Sequence, residues 1–340
     1  MDSVVTVVGP TASGKSDLAV QLARRLAAES GITAEIINAD SMQLYRGMDI
    51  GTAKLPHSER GGVPHHLLDV LDVTEPADVA TYQSMCRARI ARTHAAGHLP
   101  ILVGGSGLYI RAAVDRLEFP GTDPGLRARL EQELAELGPE VLHARLHDQD
   151  PAAAESILVG NGRRIVRALE VIELTGRRFT AHLPDHTGFY PCHQVGLEVP
   201  RPDLDERIAL RVRRMWEAGL VDEVRQLERQ GLRAGRTASR ALGYAQVLRY
   251  LAGETDESTA YDDTVRATRR FARRQQSWFR RDPRVHWLAY DAVDLEDRAL
   301  AIIRSGPPGR SDTGVAPDGA ATAWTPATAT TPGSGSGRQS

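Results

Sequence analysis

Three observations predict an α/β fold in which a parallel sheet carries helices on both faces. Short apolar runs alternate with helically spaced segments across residues 1–115, and a glycine-rich loop joins the first run to the first helix. Residues 123–183 then drop the alternation and keep helical spacing alone. In order, Val4, Val5, Thr6, Val7 and Val8 read as a buried strand, followed by a helix over 16–29. Apolar segments at 34–39, 66–71 and 99–103 read as further strands, with a helix over 77–96 before the last. Leu126, Leu130, Leu134, Leu137, Val141, Leu142 and Leu146, and later Ile165, Leu169 and Ile172, recur at helical intervals. Residues 194–199 read as a strand returning to the parent sheet. Helices follow at 203–230, 239–252 and 258–281, with a last strand near 285–288. From Ser305 onward the chain is mostly Gly, Pro, Ser, Thr and Ala, with almost nothing to bury, so a disordered tail is expected. The implied divisions are a core in two parts (1–122 and 191–304), a helical insertion (123–190) and the tail (305–340).

Composition narrows the class. The chain has 340 residues, enough to bury a substantial core, and a formal charge of −2 gives no global field that would attract nucleic acid. Two cysteines, Cys86 and Cys192, lie far apart with no metal-binding spacing and suit a reducing compartment. No apolar run approaches the roughly 18 residues of a membrane span, and the amino terminus enters a core strand at once. A cytoplasmic protein that does not engage a membrane is expected.

The loop after the first strand fits the phosphate-binding pattern G-x-x-x-x-G-K-[ST] at every fixed position: Gly9, Pro10, Thr11, Ala12, Ser13, Gly14, Lys15 and Ser16. Its glycines let backbone N–H groups turn toward phosphate oxygens, and the helix that follows adds the positive end of its dipole. Lys15 supplies a point charge and Ser16 a hydroxyl for Mg²⁺. Only two of the 42 basic residues are lysine, Lys15 and Lys54, so a compact ammonium is retained at 15 in a chain that otherwise uses arginine. These features make the fold resemble that of phosphate-loop nucleotide hydrolases.

Further candidates lie at the same predicted sheet edge. Asp40 follows the strand 34–39, where ligands bind in open α/β sheets. It reads as a general base, as a carboxylate near Mg²⁺, or as a helix cap. The glycine-rich stretch 47–54 carries Lys54, which could serve as a second anion contact or stand as a surface lysine. Gly104, Gly105, Ser106 and Gly107 follow another strand and permit close approach of a ligand. Eight arginines, including Arg273 and Arg274, crowd residues 264–284 among Phe271, Trp278 and Phe279, a pattern that suits looped RNA. Arg163, Arg164 and Arg167 form a smaller cluster in the insertion, and Arg240 stands alone.

Together, residues 9–16 (GPTASGKS), 38–45 (NADSMQLY), 49–54 (DIGTAK), 103–109 (VGGSGLY), 163–171 (RRIVRALEV), 241–246 (ALGYAQ) and 271–280 (FARRQQSWFR) resemble the tRNA dimethylallyltransferase family, in that family's order over roughly residues 3–290. The resemblance implies transfer of a dimethylallyl group from its diphosphate to N6 of the adenosine 3′ to the anticodon, in tRNAs reading U-initial codons. It implies Asp40 as general base. Lys15, the loop amides, Mg²⁺ on Ser16 and Arg240 would hold the diphosphate, and Ser106, where the family often has threonine, would meet the target nucleotide or the diphosphate. The anticodon stem-loop would meet Asp40, Ser41, Met42, Gln43, Ser106, Arg127, Arg163, Arg164, Arg167, Arg273 and Arg274, with the protein acting as a monomer. The alternatives from other classes are a small-molecule or nucleoside kinase using ATP on the same loop, a phosphate-loop module that binds RNA without chemistry, and a prenyltransferase acting on free AMP.

Overall fold

The computed structural model describes residues 3–179 and 186–305. Six strands form one sheet: β1 (Val4–Val8), β2 (Ala34–Asn38), β3 (His65–His66), β4 (Leu99–Gly104), β5 (Cys192–Glu198) and β6 (Val285–Ala289). Their order is β3-β2-β4-β1-β5-β6 and every pairing is parallel. Central strands must bury both faces, which is why β1 and β4 are apolar apart from Thr6 and buried along their whole length. On one face α1 (Lys15–Ser30) lies against Val5, Val7, Ile36 and Ile101. On the other, α2 (Val79–Ala95) and α3 (Gly107–Val114) cover Val4, Val8, Ile37 and Leu102. The Asp78 carboxylate caps α2 by accepting from the Thr81 N–H at 2.8 Å.

The insertion comprises α4 (Pro124–Leu137), α5 (Pro139–Gln149), α6 (Pro151–Ser156) and α7 (Gly162–Thr175). Each of the first three opens on a proline, which sets φ for a first turn and leaves no donor wasted. Leu130, Leu142, Leu146, Ile165 and Leu169 form their own core. Beneath it, Glu170 is fully buried and accepts from Arg127 and Arg167, while Arg167 also donates to Pro120 O at 2.5 Å and Gly121 O at 3.1 Å. These bonds seat α4 and α7 on the segment that leads out of the sheet.

After β5 the chain forms α8 (Arg201–Glu217), α9 (Leu220–Arg229), α10 (Tyr244–Leu251), α11 (Glu257–Phe279) and, beyond β6, α12 (Leu295–Arg304). The helix predicted over 203–230 is two helices, because Gly219 takes φ 96° between them. Likewise the predicted helix 239–252 is a short 3₁₀ turn followed by α10, separated at Gly243 with φ 86°. The strand expected over 66–71 shrinks to the two residues of β3, since Leu67 and Asp69 both adopt φ 58° and cannot continue a ladder. The spacing did not reveal α3 or α12. Cys86 and Cys192 are both free. The expected disorder after Ser305 lies outside the described residues. Among the described residues no helix is long and apolar enough to cross a membrane.

Candidate active site

Register places the site. Val8 pairs with Gly104 and Gly196, and Asn38 pairs with Val103, so the segments leaving β1, β2 and β4 emerge side by side at the carboxyl edge. The first carries the loop 9–16, where Gly9 (φ 146°), Ala12 (φ 63°) and Gly14 (φ 95°) turn the backbone into the start of α1. Gly104 tolerates no side chain, because a Cβ there would lie 2.3 Å from Ala39 O. The resulting pocket is lined by Thr11, Lys15, Ser16, Asn38, Asp40, Gln43, Thr52, Gly104, Gly105, Arg211 and Gln275, among others.

Two cations face this pocket. Lys15 is half-buried and donates from Nζ to Pro10 O at 2.6 Å. Burial, and then the charge of Arg211, push its ammonium down to about 7, with Asp40 pulling it back. Arg211, on α8, is likewise pushed below the usual guanidinium range by burial, against the pull of Asp40. Its hydrogen bond among the described residues goes from Nη2 to Thr52 O at 3.1 Å. Two positive groups partly withdrawn from water opposite one carboxylate make a pocket that gains from receiving an anion.

Asp40 is held at one oxygen. Its Oδ1 accepts from the Met42 N–H at 2.9 Å, and the Asn38 side chain braces the turn from both directions at 2.9 Å. The other carboxylate oxygen accepts from no described residue and is available to the pocket. Asp40 thus closes a turn rather than capping a helix. Gln43 lines the pocket and donates to Thr52 O at 3.1 Å, Met42 packs against the neighbouring hydrophobic core, and Ser41, just after Asp40, is half-buried in the same turn. Ser106 opens α3 next to the pocket-lining Gly105, half-buried and with no capping bond from its hydroxyl.

Other expected residues stand elsewhere. Arg240 is exposed on its 3₁₀ turn and does not line the pocket; Arg211 occupies the place of the pocket's second cation. Lys54 is neither an anion contact nor a surface lysine. Its ammonium is buried and fully engaged by Tyr45 O (2.9 Å), Asp49 (2.6 Å) and Asp69 (2.6 Å). Arg127 and Arg167 point inward to Glu170, whereas Arg163 and Arg164 are exposed at the start of α7. Arg273 and Arg274 are exposed on α11, the first 4.0 Å from Asp205 and the second over the Phe271 ring at 5.8 Å.

Sequence reasoning missed Arg211, Gln275 and Arg207. Gln275 is buried on α11. It accepts from the Thr11 N–H at 2.8 Å and donates to Gly105 O at 2.9 Å, joining the two glycine-rich segments. A Cβ on Gly105 would lie 2.2 Å from its amide nitrogen. A neutral amide inside an arginine run was the available signal. Arg207 donates from Nε to Ala12 O at 2.8 Å and steadies the loop from behind.

A parallel sheet whose carboxyl edge gathers a glycine-rich turn, two partly dehydrated cations and a half-used carboxylate defines an α/β protein with an anion-receiving pocket. Residues 43–282 match the family model described as IPP transferase, and the chain belongs to that family. It is 72% identical over 303 residues to the tRNA dimethylallyltransferase of Thermobifida fusca, covering 89% of this chain and 95% of that one. The corresponding enzyme of Streptomyces avermitilis is 68% identical, with 86% and 92% covered. Among solved structures, the tRNA isopentenylpyrophosphate transferase of Bacillus halodurans is 39% identical with a TM-score of 0.65, covering 89% of this chain and 94% of that one. A eukaryotic dimethylallyltransferase acting on tRNA is 25% identical with a TM-score of 0.78, covering 92% and 82%.

Proposed function

We propose that this protein transfers a dimethylallyl group from dimethylallyl diphosphate to N6 of the adenosine 3′ to the anticodon, in tRNAs reading U-initial codons. The observation that carries this reading is the pairing of Lys15 and Arg211 across one pocket from the free oxygen of Asp40. An exocyclic amine is a poor nucleophile because its lone pair is delocalised into the ring. As the N6–C1 bond forms and the C1–O bond of the prenyl diphosphate breaks, Asp40 accepts the N6 proton. Lys15, Arg211 and the amides of residues 9–16 take up the charge that develops on the departing diphosphate. The Ser16 hydroxyl is exposed at the pocket and unbonded, and it offers the kind of hard oxygen donor that Mg²⁺ prefers. No cluster of three or more His, Cys, Asp or Glu side chains able to hold a metal occurs among the described residues, so the diphosphate oxygens would complete its coordination. Bound there, Mg²⁺ would neutralise the leaving group. The adenine must leave its stack to reach the pocket, which costs least in a loop. Arg163, Arg164, Arg273 and Arg274 present exposed charge to the anticodon stem-loop, while Arg127 and Arg167 support the insertion that carries the first pair. A kinase reading is not favoured, since the relatives are tRNA prenyltransferases.

The test is transfer of labelled dimethylallyl to unmodified tRNA, with ATP, AMP and a tRNA bearing guanosine at the target position as controls. Label should enter tRNA and vanish with the guanosine substitution; ATP turnover without transfer would sink the reading. Asp40→Asn keeps the bond to Met42 but removes the base. It should lower kcat by about 10²–10⁴ while tRNA binding stays within twofold.

A further inference from the structure

Glu223, on α9, does not line the pocket, yet its carboxylate gathers four donors. Oε2 accepts from the N–H groups of Asp49 (3.1 Å) and Ile50 (2.7 Å). Oε1 accepts from the N–H of Gly51 (3.2 Å) and the Tyr244 hydroxyl (2.5 Å). Three successive amides wrapped around one anion fix the backbone of residues 49–51. Tyr244, fully buried at the start of α10, presses its ring over Gly51, where a Cβ would lie 2.4 Å from it.

The next residue inherits this constraint. Thr52 is held by its own hydroxyl, which donates to Met48 O at 2.6 Å, and its carbonyl accepts from Gln43 and from Arg211 Nη2, both at 3.1 Å. That carbonyl is the hydrogen-bond partner of Arg211 among the described residues. An arginine side chain has many rotamers, and a single fixed acceptor decides where its remaining donors point.

We propose that Glu223 is a positioning residue: by fixing residues 49–51 it sets the Thr52 carbonyl, and through it the aim of Arg211 at the diphosphate. The link runs on through the Tyr244 hydroxyl to α10, which begins four residues after Arg240. The inference rests on the reading of Arg211 as a diphosphate contact.

The experiment is steady-state kinetics of the full chain with dimethylallyl diphosphate and unmodified tRNA. It compares Glu223→Gln, Tyr244→Phe, Arg211→Gln and the Glu223→Gln/Arg211→Gln double variant, with melting midpoints measured alongside. Glu223→Gln is expected to raise KM for the prenyl diphosphate about fivefold or more with KM for tRNA changed less than about twofold. Tyr244→Phe, which removes a single donor, is expected to raise it about twofold to threefold. In the Arg211→Gln background Glu223→Gln should add almost nothing, because both act through one group. Fully multiplicative losses would overturn the route through Arg211. So would a lowered melting midpoint with unchanged KM in both Glu223→Gln and Tyr244→Phe, the mark of a purely structural staple. If Arg211→Gln itself leaves KM for the prenyl diphosphate unchanged, the diphosphate reading of Arg211 fails and takes the proposal with it. Failure of the proposal alone looks different: Arg211→Gln raises that KM and Glu223→Gln does not.

Discussion

Lys15 illustrates what an anion site costs before its ligand arrives. The folded chain releases the Lys15 proton near pH 7, whereas an unfolded one holds it to about 10.5. Between those values the unfolded state binds more protons, so this group makes stability rise with pH. Below pH 7 the penalty of the dehydrated ammonium is present in full, and above about 10.5 it is gone. Lys15→Met should therefore melt above the parent chain at pH 6, and the two midpoints should converge as pH approaches 10. Calorimetry across that range checks it. A gap that widens with rising pH would mean that Lys15 is stabilised where it stands. A diphosphate that restores the charged form would also draw a proton onto Lys15, tying affinity to pH through the same group.

At the level of elements, the decisive contact is α11 against the two glycine-rich turns. Gln275→Ala leaves the Thr11 N–H and Gly105 O without their partner. It should cost about 1–3 kcal/mol in a denaturant titration and raise KM for the prenyl diphosphate as residues 9–16 loosen. Unchanged stability and KM would reduce Gln275 to a spectator. The same helix shows what was legible in the sequence. Val4–Val8, Gly9 to Ser16 and Asp40 could be read because strand alternation, loop pattern and sheet-edge position are local signals. The exposed arginines of α11 could also be read, as a charge run. Arg211 could not, since it acts across a long sequence separation and looks ordinary among its neighbours; Gln275 stood out only as a neutral amide among arginines, and its partners lie far away in sequence. Lys54 misled for the opposite reason: rarity and a glycine-rich setting suggested a ligand, but Asp49 and Asp69, the latter fifteen residues on, had already claimed it. The strand expected at 66–71 failed at Leu67 and Asp69, whose left-handed backbone no hydropathy pattern announces.

Across the whole molecule, the arginines of the insertion divide by direction. Arg163 and Arg164 face outward, so replacing both with alanine should weaken tRNA binding and flatten its log–log salt dependence by roughly 1.4–1.8, the share of two phosphate contacts. Arg127→Ala should leave that slope nearly unchanged and instead destabilise the insertion by about 3 kcal/mol, because Glu170 is fully buried and loses a partner. Salt titrations and melting curves on the same variants separate the two roles, and a slope change in Arg127→Ala would reverse the assignment. The brevity of β3 has a consequence beyond the site. A sheet of six parallel strands joins distant residues and assembles slowly, leaving strand borders open to other chains in the meantime. On this border His65 and His66 pair with β2, the backbone then turns left-handed at Leu67 and again at Asp69, and a single bridge from Leu71 to Tyr45 follows. A neighbouring molecule finds too short a template to extend, so the bends that ended the predicted strand also guard the chain against aggregation.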